Sequence, residues 1–137
     1  MTAHAGQIVA LGGGGFSMEP ENPLLDNFVL GLSPNPRPRV CFIGTASGDS
    51  QGYQDRFYEA FRARPCDPFH LSLFKDIPTS IHDYVMSMDV IYVGGGNTSN
   101  LMLLWNTWGL SDAIRAMYDR LPDECQKYFG QELPLSC

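Results

Sequence analysis

Asp89-Val-Ile-Tyr-Val-Gly-Gly-Gly-Asn-Thr-Ser-Asn100 is a short apolar strand that runs into three glycines and then into a helix. Val90, Ile91 and Val93 are β-branched and suit a strand covered on both faces, as parallel strands are. Gly94, Gly95 and Gly96 let the chain turn sharply and let a ligand approach the main chain without meeting a Cβ. Asn97, Thr98 and Ser99 are good N-cap types, and Leu101, Leu104, Trp105 and Trp108 follow at helical spacing. A backbone-rich turn at the carboxyl end of a strand is where open α/β sheets bind ligands. Its free amides, with those of the helix start, can hold an anion or an oxyanion. The same glycines also suffice for a plain strand-to-helix connection.

Outward from that turn, strand and helix patterns alternate. Gln7–Leu11 reads as a first strand that delivers the chain into Gly12-Gly-Gly-Gly-Phe-Ser17, a second glycine turn. That turn reads G-x-G-x-x-S and Pro20 and Pro23 follow it, so a dinucleotide fingerprint is not met. Leu24–Leu32 reads as a short helix and Ser33–Pro38 as a proline-rich loop. Arg39–Gly44 is a second strand, followed by the polar turn Thr45–Ser50 and a helix with Tyr53, Phe57, Ala60 and Phe61 on one face. That aromatic stripe reads as core. Phe69–Phe74 is a third strand, Ile81–Met86 a short helix, and after Gly109, Ser111 can cap a last helix bearing Ile114, Met117, Tyr118 and Leu121. This alternation predicts an α/β fold, a parallel sheet with helices on both faces, ending after about four strands.

Composition narrows the function. A chain of 137 residues is long enough for one domain, which buries about 68% of its unfolded surface. A net charge of −6 argues against nucleic acid or an anionic membrane as partner, because both need clustered Lys and Arg. No apolar run reaches the roughly 18 residues of a membrane span, and the start lacks a leader pattern, so the cytoplasm is expected. Cys41, Cys66, Cys125 and Cys137 show no C-x-x-C spacing, and His4, His70 and His82 have no ligand-spaced partner. No metal and no cofactor are expected; His70 and His82 read as structural or surface groups, and His4 as part of a frayed terminus.

Ile8-Val-Ala-Leu-Gly-Gly-Gly-Gly-Phe-Ser17, Glu19-Pro20, Asn22-Pro-Leu-Leu-Asp26, Val40–Ser47 and Ile91–Leu101 together resemble the dipeptidase E and cyanophycinase family of serine peptidases. The resemblance runs from about residue 6 to residue 120. It implies a fold like that of class I glutamine amidotransferases, which is flavodoxin-like, and a Ser-His-acid hydrolase acting on small peptides, typically with an N-terminal aspartate. It also implies that amides around Gly94, Gly95 and Gly96 face the developing oxyanion and that Asn97 and Thr98 line the substrate pocket. Gly14, Gly15, Phe16 and Ser17 form a secondary candidate loop.

One part of the family pattern is absent. The nucleophile there sits in a Gly-x-Ser-Ala-Gly elbow on the strand after the helix that ends near Arg120, and the base and acid lie later still. Here the G-x-S triplets are Gly15-Phe-Ser17 and Gly31-Leu-Ser33, and neither has glycine two residues after serine. Residues 121–137 carry no apolar β run, Pro134 interrupts the only candidate, and Ser136 and Cys137 have no strand before them. Residues 1–120 are therefore expected to be a partial peptidase domain and 121–137 a non-matching tail, disordered or read out of frame. A frameshifted gene is favoured over an isoform. The chain is expected to be inactive alone, with a non-catalytic module for a small ligand or peptide as the alternative. A cysteine-dependent amidotransferase is disfavoured, since neither Cys125 nor Cys137 forms an elbow. An exposed sheet edge would invite self-association.

Overall fold

The computed structural model describes residues 6–120. Its three strands, β1 Arg39–Ile43, β2 Asp67–Leu71 and β3 Val90–Val93, pair in parallel in the order β2-β1-β3. The helices are α1 Leu24–Gly31, α2 Gln51–Arg62, α3 Ile81–Met86, α4 Thr98–Trp108 and α5 Leu110–Asp119.

The central strand β1 organises two cores. Val40, Cys41, Phe42 and Ile43 are all buried, and alternation sends Val40 and Phe42 to one face and Cys41 and Ile43 to the other. The first face is aromatic: Phe42, Phe57, Phe61 and Phe16 pack with Tyr53 and Tyr92 beneath α1 and α2. Phe57 and Phe61 stack with centroids 4.6 Å apart, and Phe16 meets Phe61 edge-on at 5.7 Å. The second face is aliphatic, with Ile43, Leu71, Val85, Met88 and Leu110 beneath α3, α4 and α5. Helices thus cover both faces of the sheet, an α/β arrangement of the flavodoxin-like kind.

The helix starts follow local chemistry. Ser80 Oγ accepts from the Asp83 amide at 3.2 Å and opens α3, whose observed span is the expected one. Ser50 caps α2 and Asn97 caps α4 in the same way. The last helix departs from expectation. Gly109, at φ 74°, ends α4 and also begins α5, while Ser111 lies in the first turn of α5 and donates to Asn106 Oδ1 at 2.8 Å. A left-handed glycine between two helices leaves no room for a capping serine two residues on.

The strands differ from expectation in two places. Gln7–Leu11 is not a strand: the segment is exposed and pairs with nothing in the sheet, and a β-branched run becomes a strand only where a neighbour presents its N–H and C=O groups. The sheet has three strands among the described residues, where four were expected. The strand expected at Phe69–Phe74 begins two residues earlier and ends at Leu71. Pro68 is accepted because β2 is an edge strand, and the chain turns at Ser72, whose Oγ accepts from the Phe74 and Lys75 amides. Trp108, counted with the inward stripe of α4, is 45% exposed. The expectations for the tail 121–137, with Cys125, Ser136 and Cys137, and for His4 lie outside the described residues.

Candidate functional site

Because β1 and β3 are parallel neighbours, their carboxyl ends lie side by side and their following turns meet. Gly94 donates its amide to the Ile43 carbonyl at 3.0 Å, and Asn97 donates to the Ala46 carbonyl at 2.8 Å. One backbone bond therefore ties the glycine turn to the end of β1, and the other locks it against the short 3-10 turn Thr45–Ser47.

Each of the three glycines is required, or permitted, for a different reason. A Cβ at Gly94 would press on the Phe42 and Tyr53 rings at 3.0 Å. At Gly96, with φ 149°, it would overlap the Ala46 carbonyl. At Gly95 it would meet nothing within 4 Å. Gly94 and Gly96 make the tight connection, and Gly95 leaves the main chain open to solvent. Among the described residues the amides of Gly95 and Gly96 have no acceptor, and both residues are exposed.

Asn97 and Thr98 sit beside these amides. Asn97 Oδ1 accepts from the Asn100 amide at 3.0 Å, so its oxygen and its own amide are both engaged in holding the turn. Its side-chain NH2 remains available. Thr98 is exposed at the first position of α4, where the helix dipole favours negative charge. Gly94 is buried beneath the turn, and the four exposed residues Gly95 to Thr98 form one surface that carries the free N–H donors.

An open cleft of about 380 Å³ adjoins this surface, lined by Thr45, Ala46, Gly48, Phe74, Asn100, Leu103 and Leu104. Thr45 is fixed there by the Trp105 indole, which donates to its Oγ1 at 3.1 Å. Reading the sequence for motifs missed Ala46 and Phe74. The polar turn after the second strand was the signal for the first; nothing local marks Phe74.

The second glycine turn is built differently. Gly13, Gly14 and Gly15 all have positive φ, at 118°, 82° and 73°. They bend the chain so that Phe16, 1% exposed, enters the aromatic core. A Cβ at Gly15 would lie 2.6 Å from the Tyr92 hydroxyl. That hydroxyl donates to buried Asp26 at 3.1 Å, and Arg64 pairs with the other carboxylate oxygen at 3.5 Å. Burial raises the Asp26 pKa, outweighing the Tyr92 donation and the Arg64 charge. Gly14, Gly15, Phe16 and Ser17 are not among the residues that line the cleft.

Two of the described candidates for nucleophile and base are engaged elsewhere. Ser72 donates to Asp49, and His70 Nδ1 lies 2.6 Å from the Tyr58 hydroxyl, with the imidazole pKa lowered by burial. No serine among the described residues is hydrogen-bonded to an imidazole. Burial pushes the Cys41 thiol up to about 12, so it stays protonated. Among the described residues no three His, Cys, Asp or Glu side chains gather as metal ligands, and no helix is long and apolar enough to cross a membrane.

Comparison with known proteins agrees with this layout. Over 109 residues the chain is 58% identical to a protein of Bacillus subtilis (strain 168) described as uncharacterized peptidase YgaJ, a match covering 80% of this chain and 47% of that one. The chain spans about half the length of the curated relative it matches. The family model of peptidase family S51 matches residues 8–122, which include both glycine turns. This chain belongs to peptidase family S51.

Proposed function

We propose that the turn Gly94–Thr98 is the oxyanion and substrate-binding half of a serine-type peptidase site of the dipeptidase E kind. Its substrates are small peptides, including those with an N-terminal aspartate, and the chain as it stands does not turn them over. The observation that carries this reading is the pair of acceptor-free amides at Gly95 and Gly96, exposed at the end of β3 and at the start of α4. In acyl transfer the carbonyl oxygen gains negative charge, and one preorganised donor at that point is worth about 3–4 kcal/mol of transition-state stabilisation. These 137 residues hold no Gly-x-Ser-x-Gly elbow, so on this reading they do not themselves supply the attacking serine. The cytoplasm is the proposed compartment, in keeping with the unpaired, buried thiols of Cys41 and Cys66.

A fluorophosphonate probe and an aspartyl dipeptide test the two halves of the proposal. The probe should leave the chain unlabelled, and labelling would overturn the expected inactivity. Calorimetry should detect the dipeptide, and its tetrahedral phosphonate analogue should bind at least roughly tenfold tighter, because amides placed for an oxyanion prefer the charged geometry. The second reading is a non-catalytic module for a small ligand or peptide, favoured by the open cleft beside the turn. Equal affinity for dipeptide and phosphonate would select it.

A further inference from the structure

The cleft beside the glycine turn has fixed walls. Ser72 Oγ accepts from the Phe74 and Lys75 amides at 3.0 and 3.2 Å and donates to the Asp49 carboxylate, so the backbone that carries Phe74 is pinned. Asp49 is held in turn by its own amide, which donates to the Gly44 carbonyl at 3.0 Å. Elsewhere on the lining the Trp105 indole holds Thr45, and the Asn97 cap holds the Asn100 amide.

Two large apolar side chains stand on these supports with more than half their surface in solvent. Phe74 is 53% exposed and Leu103, on α4, is 67% exposed. A single exposed apolar side chain is ordinary. These two, however, border one cleft of about 380 Å³ together with Ala46 and Leu104, and none of the residues that line it is charged. The cleft also joins the ligand-facing turn. Ala46, on the lining, accepts from the Asn97 amide and blocks any Cβ at Gly96, and Asn100 is the residue whose amide Asn97 caps.

We propose that this cleft is a specificity subsite that takes one large apolar side chain, of leucine or phenylalanine size, from a peptide bound at Gly95–Thr98. The inference rests on the peptidase reading above and narrows its substrates. A lining of this kind offers no cation to a carboxylate that would shed water to enter it. In an aspartyl dipeptide the aspartate side chain therefore lies elsewhere, and the second residue enters the cleft. The favoured class is aspartate followed by leucine or phenylalanine. Glycine leaves the cleft unfilled, and lysine brings to it a charge without a partner. Taking a leucine side chain out of water is enough for at least a roughly tenfold gain in affinity.

Calorimetry of the full chain with Asp-Leu, Asp-Phe, Asp-Gly and Asp-Lys tests the subsite, beside methyl NMR of Leu103 and Leu104 with N-acetylleucinamide. Asp-Leu and Asp-Phe should bind at least about tenfold tighter than Asp-Gly and Asp-Lys. N-acetylleucinamide, which has neither aspartate nor a charged terminus, should shift both methyl signals saturably, and N-acetylglycinamide should not. Leu103→Asp, at a position exposed enough to leave folding intact, should bring the ratio of Asp-Leu to Asp-Gly affinity near one and place Asp-Lys above Asp-Leu. Phe74→Ala, on a backbone still pinned by Ser72, should lower the same ratio at least about threefold. A ratio near one in the natural chain, a ratio that survives Leu103→Asp, or methyl signals that ignore N-acetylleucinamide overturns the proposal. Failure of the peptidase reading gives a different result. A phosphonate that binds no tighter than its dipeptide, with the leucine preference intact, removes the oxyanion role and supports the subsite. If no aspartyl dipeptide binds, that reading falls, and the methyl signals decide the cleft: saturable shifts with N-acetylleucinamide support it, and their absence overturns it.

Discussion

The two glycine turns of this protein are nearly identical in composition and opposite in use. Gly12–Gly15 takes positive φ at three positions and turns a phenylalanine into the core. Gly94–Gly96 takes positive φ at one position and leaves two amides facing solvent. The residue after the last glycine decides which use prevails. Phe16 is a large apolar group that stabilises the fold only by being buried, and the first turn is shaped around it. Asn97 is a cap, so the second turn is shaped around a helix start whose donors point outward.

The sharpest way to break this contrast is Gly96→Ala. A Cβ there overlaps the Ala46 carbonyl at a φ that side chains rarely adopt, so the backbone bond between the two turns must give. The expected loss is about 4 kcal/mol, read by urea unfolding. Phe16→Ala should cost slightly less, about 3–4 kcal/mol, because it leaves a cavity among Phe42, Phe57 and Phe61 while the backbone keeps its course. If Phe16→Ala were nearly neutral, the first turn would not be a core anchor. Gly15→Ala should come next at about 2 kcal/mol, since its Cβ meets side-chain ends, the Tyr92 hydroxyl and then the Asp26 carboxylate, rather than backbone, and positive φ adds the strain.

How far these roles were legible beforehand varies by residue. Gly94, Asn97 and the inward residues of β1 announce themselves through spacing and residue type, and the layered fold follows from alternating strand and helix patterns. The division of labour within the turn does not, because Ala46 and Phe42, which make Gly96 and Gly94 obligatory, are about fifty residues away in sequence. Gln7–Leu11 shows the same limit from the other side. Its residues favour a strand, but a strand is a property of pairs, and the described residues supply no partner. The Asp26–Arg64–Tyr92 group was invisible for the same reason, being joined across thirty to seventy residues.

That buried group gives a pH test of the first turn. Burial raises the Asp26 pKa, so the folded protein prefers the neutral acid. Its contribution to stability is fully present below the unfolded carboxylate value of about 3.9 and is lost as pH rises through the folded value. Asp26→Asn keeps the neutral form at every pH. The stability of the variant relative to the natural chain should therefore rise between about pH 4 and neutrality, measured by denaturant midpoints. A difference that stays flat across that range would mean the Arg64 and Tyr92 contacts fully offset the cost of burying the charge.

Gly95→Ala carries the smallest stability effect and bears most directly on the site. Its Cβ meets nothing within 4 Å and its φ is negative, so unfolding should shift by less than about 1 kcal/mol. The same methyl stands on the open side of the two free amides, where a ligand oxygen must come within roughly 3 Å of the donors. Affinity for the phosphonate dipeptide should fall at least about tenfold while the melting behaviour barely changes. Gly13→Ala is the matched control in the other turn: its added Cβ has only the Met18 sulfur nearby, at 3.6 Å, so positive φ should cost stability without touching that affinity. If both variants weakened phosphonate binding equally, the two turns would not differ in use. If Gly95→Ala alone did so, the acceptor-free amides would be the point at which this chain meets its ligand.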